Sequence, residues 1–157
     1  MFIRTAIISL SLLSATLAFA GSPFDITLSK TFTSGDAQSA TYVSVQCNIH
    51  LGSAFFGLEH RRIFGTIETS TSSPLRVKNA LDVDKWIMQA KQGQISTQPG
   101  EAGASSMTYV AIQRTQGITQ YIDLKANGQV ITTNSSPEAA LLIQLLDLHC
   151  PELSNSF

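Results

Sequence analysis

The sequence predicts an α+β fold: an antiparallel sheet of about six or seven strands with two helices packed on one face. Three observations lead there. Short runs of period-two alternation, divided by Gly, Asn and Ser turn residues, fill much of the chain. Two stretches switch to helical spacing. The second of these is bracketed by clear start and stop residues.

Phe24 to Lys30 alternates apolar and polar side chains, as a half-buried strand does. Ser34-Gly35-Asp36 then supplies turn chemistry. Thr41 to Gln46 is a second strand, rich in aromatic and β-branched residues and ended by Cys47. Ala54 to Ser70 carries Phe55, Phe56, Leu58, Ile63, Phe64 and Ile67 and reads as a hairpin, with Gly57 and Gly65 as bends or bulges. Ala80 to Gln92 is helical, because Ala80, Val83, Ile87 and Ala90 share one face with Trp86 beside them. Asn79 or Asp82 caps it, or it starts at Ser73-Pro74, and Gly93 stops it. Ile95 to Ser106, with Pro99, Gly100 and Gly103, reads as the longest loop.

Three more strands follow: Met107–Thr115, Ile118–Ala126 and Gln129–Thr133. Gln116-Gly117 and Asn127-Gly128 join them, and Asn-Gly is the strongest short hairpin signal. In the last helix Ser136 is the cap, Pro137 the first residue, Glu138 suits the positive end, and Pro151 is the stop. Leu141, Leu142, Leu145, Leu146 and Leu148 surround much of its circumference, which predicts deep burial.

Two segments recur in order, which suggests a duplicated strand–strand–strand–helix unit with halves 21–93 and 105–150. Thr41 to Gln46 parallels Thr108 to Gln113, and Gly65 to Pro74 parallels Gly128 to Pro137.

Residues 1–20 have the form of a signal peptide. Arg4 is followed by an apolar run from Ala6 to Leu17 and by the small-x-small pattern Ala18-Phe19-Ala20. This leaves residues 21–157 as a single globular domain, secreted or periplasmic, with no later run long enough to span a bilayer. Charged residues make up only 13% of the chain, against roughly 25% in average proteins. Ser, Thr and Gln replace them. With ten basic and eleven acidic residues, the chain has no electrostatic footprint for nucleic acid or anionic lipid.

Cys47 and Cys150 are the two cysteines, and in an oxidising compartment the pair reads as a disulfide stapling the last helix to an early strand. Two rivals remain open. One is a Cys2His2 zinc set with His50 and His149, although neither pair has the usual finger spacing. The other is Cys47 as a free nucleophile served by His60.

No nucleophile elbow, P-loop or H-E-x-x-H pattern is present, and no cofactor or metal is implied. Asp82 and Asp84 suit a helix start. Glu59-His60-Arg61-Arg62 is the densest charged cluster and a weak candidate for docking an anion or carboxylate; its bland alternative is a solvated turn. Asn134-Ser135-Ser136 matches a glycosylation sequon, weakened by Pro137. The leading reading is an exported, disulfide-stapled binding or inhibitor-type protein without an evident catalytic site, whose partner is another protein or a small ligand. Its alternatives are a secreted cysteine-dependent hydrolase, transferase or deamidase using Cys47 and His60, and a structural subunit of a surface assembly joined by strand addition.

Overall fold

A computed structural model describes residues 25–35, 40–52, 56–77, 80–101, 105–151 and 153. The signal-like segment 1–20 therefore lies outside the described residues, as do Asn79 and most of the tail after Pro151. Eight strands and two helices follow in the order β1 (Asp25–Ser34), β2 (Val43–Leu51), β3 (Phe56–Phe64), β4 (Ile67–Pro74), α1 (Ala80–Ala90), β5 (Ile95–Pro99), β6 (Ser106–Thr115), β7 (Ile118–Asn127), β8 (Val130–Asn134) and α2 (Pro137–His149). The strands form one antiparallel sheet, ordered β4-β3-β2-β1-β6-β7-β8-β5.

The predicted class holds, but the sheet has eight strands rather than six or seven. The addition is β5, in the segment expected to be a loop. Every residue of β5 is exposed, so it has no apolar alternation to reveal it. Pro99 sits at its end, where a strand on the sheet's rim tolerates the missing N–H.

Alternation assigns the faces, since residues paired across an antiparallel ladder point to the same side. Ile26, Leu28, Lys30 and Phe32 of β1 face the helices, and Val45, Cys47, Ile49 and Leu51 of β2 pair with them. Met107, Tyr109 and Ala111 continue this face into β6. Against it pack Val83, Ile87 and Ala90 of α1 and Ala139, Leu142 and Leu146 of α2. The opposite face is polar, with Thr27, Ser29, Ser44 and Asn48 buried at its centre.

α2 begins and ends as the sequence indicates, whereas α1 stops at Ala90, two residues before the expected Gln92, and Ser73-Pro74 belongs to β4 rather than to a helix start. Ser136 Oγ accepts the N–H of Ala139, Pro137 opens α2, and the Cys150 N–H closes it on the Leu146 carbonyl. α2 is less buried than its five leucines suggest: Leu142 and Leu146 are inside, whereas Leu141 and Leu148 face solvent. The two-residue hairpin falls at Gln116-Gly117, both at positive φ, with Thr115 paired to Ile118. At Asn127-Gly128 only the glycine has positive φ, and the first paired residues beyond it are Ala126 and Thr132, so this turn is wider.

Strand–strand–strand–helix order does occur twice, as β2-β3-β4-α1 and β6-β7-β8-α2. The residues matched by sequence nevertheless differ in phase. Gln46 pairs with Thr31 on the polar face, while Gln113 pairs with Ile26 on the helix face. A one-residue shift turns every side chain to the other side of a sheet, so the sequence match is not the structural one.

Asn134, at the end of β8, ties these parts together. Its amide donates to the carbonyls of Ala90 in α1 and Asp123 in β7, and its Oδ1 accepts the Ser136 N–H at the start of α2. As a buried donor of two hydrogen bonds it offers no glycosylation site in the folded chain.

Candidate functional site

The sequence candidates converge on β2 and β3. Cys47 lies in the middle of β2 rather than at its end, and its Sγ is bonded to Cys150 at 1.99 Å. Both cysteines are fully buried, so the predicted staple between strand and last helix is in place. Neither is a free thiol.

Around this bond runs a row of register partners on the helix face: Tyr109, Lys30, Cys47, His60 and Thr71, from β6, β1, β2, β3 and β4. Lys30 is wholly buried, yet its ammonium donates to Asp147 Oδ1 at 2.7 Å and to the Cys150 carbonyl at 3.3 Å. It also lies 5.5 Å from the centre of the Tyr109 ring. The Tyr109 hydroxyl donates to the same Asp147 oxygen at 3.1 Å. Burial, and then the neighbouring Asp147 carboxylate, push the Tyr109 phenol up to about 12. Charged residues of this type are buried almost only when paired, and here the pair anchors the C-terminal end of α2.

His60 stands directly beside Cys47, as the nucleophile–base idea requires. With Cys47 Sγ in a disulfide, the thiolate that such chemistry needs is missing from this state. The zinc arrangement fails on two counts: its cysteines are bonded to each other, and His50 pairs with Thr27 on the polar face. Among the described residues no three His, Cys, Asp or Glu side chains gather to hold a metal.

The charged run Glu59-His60-Arg61-Arg62 is not a turn. It lies inside β3, and strand alternation splits it between two faces. His60 and Arg62 point to the helix side and line a groove of about 320 Å³ with Thr69, Ser70 and Thr71 of β4. Arg61 points the other way, onto Glu68 of β4. Glu59, also on the polar face, accepts from Asn48 Nδ2 at 3.0 Å and lies 3.0 Å from His50 Nε2. Those two hydrogen bonds, Asn48 first, hold the Glu59 carboxyl below its ordinary range. His50 Nδ1 reaches the Thr27 hydroxyl at 3.2 Å, completing a chain of hydroxyl, imidazole and carboxylate. Thr27 is buried, which leaves its oxygen little access to a substrate. Sequence reasoning missed this chain because Asn48 and His50 meet Glu59 only through the β2–β3 register.

Beside the groove, β4 forms one rim of the sheet. All eight of its residues are exposed, and its ladder with β3 runs from Ile67 to Pro74 without a bulge. Comparison with known proteins finds no matching family model, curated relative or solved structure, so function is argued from this geometry.

Proposed function

We propose that this chain is an exported, disulfide-stapled binding protein that accepts an extended segment of a protein partner along β4. The observation that carries the reading is an edge that no other described strand or helix covers. Natural sheets guard long edges with lysines, prolines, bulges or a covering element. β4 has eight exposed residues, no lysine, no bulge and a single proline at its last position. The other rim, β5, is five residues long and also ends in proline. A strand added to β4 would gain main-chain hydrogen bonds, and alternate side chains would enter the groove at His60 and Arg62. The export pattern in residues 1–20 and the Cys47–Cys150 bond support an oxidising destination.

The test replaces Ser70 and Ser72 by lysine, which leaves the core untouched and charges the rim. The partner captured by the unaltered protein should be lost, and that partner should slow amide exchange at residues 67–74 of the unaltered chain. Retained capture, or unchanged exchange in β4, would overturn the proposal. If the captured species is a second copy of this chain, the surface-assembly reading replaces the partner reading.

The cysteine-enzyme reading keeps one supporting observation, the placement of His60 next to Cys47. It needs a reduced and accessible Cys47, whereas this sulfur is bonded and buried.

A further inference from the structure

The exposed leucines of α2 belong to a second, separate surface. Leu141, Leu145 and Leu148 follow one another at helical spacing, forming a stripe along the helix, and Leu148 is 72% exposed. At the Leu148 end this stripe runs into a pocket of about 370 Å³ between α1, α2 and the segment after β4. Val77, Trp86, Leu145 and Leu148 make its walls. Among the described residues, the polar groups in its lining are Arg76 and His149, and no carboxylate is among them.

We infer that this pocket binds a small amphiphile with an apolar body and a single anionic head, of the type of a medium-chain carboxylate. The volume lies at the lower end of small-molecule sites, which are apolar with a few placed polar groups. The guanidinium of Arg76 presents a planar fork that matches a carboxylate, and His149 adds a ring N–H donor. The alkyl chain lies against Trp86 and Leu145 and follows the leucine stripe outward. Arg76 repels a cationic head and gives a neutral one a hydrogen bond without an ion pair, so the lining selects by charge as well as by shape. This site shares no residue with the β4 groove, and neither proposal depends on the other.

Trp86 is the only tryptophan in the chain, so its fluorescence reports on this pocket directly. The probe is decanoate, titrated below its micellar concentration, with decyltrimethylammonium and decanol as controls. Decanoate should shift Trp86 emission saturably, and the cationic analogue should not. Arg76→Gln should weaken decanoate by about tenfold or more, as expected for losing a charge-assisted hydrogen bond. Leu148→Ser, at an exposed position that leaves the core intact, should also weaken it. An absent or unsaturable response, an equal response to the cation, or full affinity in Arg76→Gln with native circular dichroism would overturn the inference.

Discussion

Lys30 and Asp147 are held 2.7 Å apart although they lie 117 residues apart in sequence, and the lysine side chain is wholly buried while the aspartate is 43% exposed. The pair therefore spans the boundary between sheet interior and solvent, beside the disulfide. Its asymmetry gives the two partners different costs. Asp147→Ala leaves a buried ammonium without its carboxylate and should destabilise by about 1–3 kcal/mol, softened because water can enter on the aspartate side. Lys30→Met replaces the charge by an apolar chain of similar volume and should cost less than about 1.5 kcal/mol. Urea unfolding with the disulfide intact measures both. A Lys30→Met loss equal to or above that of Asp147→Ala would contradict this account of the pair.

The Cys47–Cys150 bond links residues 103 apart in sequence, for which the chain-entropy model gives a stabilisation of about 4.7 kcal/mol. The double variant Cys47→Ala/Cys150→Ala should lose about 2–5 kcal/mol in denaturant unfolding. The native protein should take up no thiol reagent, and two equivalents after reduction and unfolding. Labelling of unreduced protein would mean that the staple is not closed.

Tyr109 makes stability depend on alkaline pH. Its folded-state pKa, about 12, lies above the ordinary phenol value of 10.0, so the folded chain retains a proton that the unfolded chain releases. This contribution is complete below the unfolded value and is lost as pH rises from there through about 12. The Tyr109→Phe variant should show a flatter decline over that window. Subtracting its tyrosinate absorbance curve from that of the unaltered protein should isolate a phenol titrating near 12. A difference curve centred at the ordinary value would contradict the burial beside Asp147.

Asn134 and Gly93 should behave as one unit. A Cβ on Gly93 would come 2.0 Å from Asn134 Oδ1, so Gly93→Ala must displace the side chain that joins α1, β7 and α2. Asn134→Ala removes the donor to the Asp123 carbonyl and the acceptor of the Ser136 N–H, while the Ala90 carbonyl keeps the Gly93 N–H; it should cost about 1–3 kcal/mol. The double variant should lose clearly less than the sum of the two single losses, because both damage the same contacts. Strict additivity in thermal or urea unfolding would separate the two positions.

The parts of this molecule that announce themselves are those with a periodic apolar pattern or a local cap. β1, β6 and α2 are legible because Ile26 and Leu28, Met107 to Ile112, and Ser136-Pro137 carry their own signals. β5 is silent because none of its five residues is buried. The outward leucines of α2 mislead, since residue type alone does not say which side of a helix has a neighbour. Glu59, His60, Arg61 and Arg62 look like one cluster in the sequence and become two half-sites once strand alternation divides them. The Thr27, His50 and Glu59 chain and the Lys30 anchor are set by cross-strand register and by helix docking over long separations, which no local pattern encodes.

The central functional claim is that β4 is the docking edge, and site-specific photocrosslinking tests it most directly. A photoreactive phenylalanine analogue is placed at Ser70 on β4 and, in a second protein, at Ser96 on β5, both exposed rim positions. The account predicts a discrete crosslinked species from Ser70 in the protein's native extract, and none from Ser96. Equal crosslinking from both rims, or none from Ser70 in a folded protein, would contradict it.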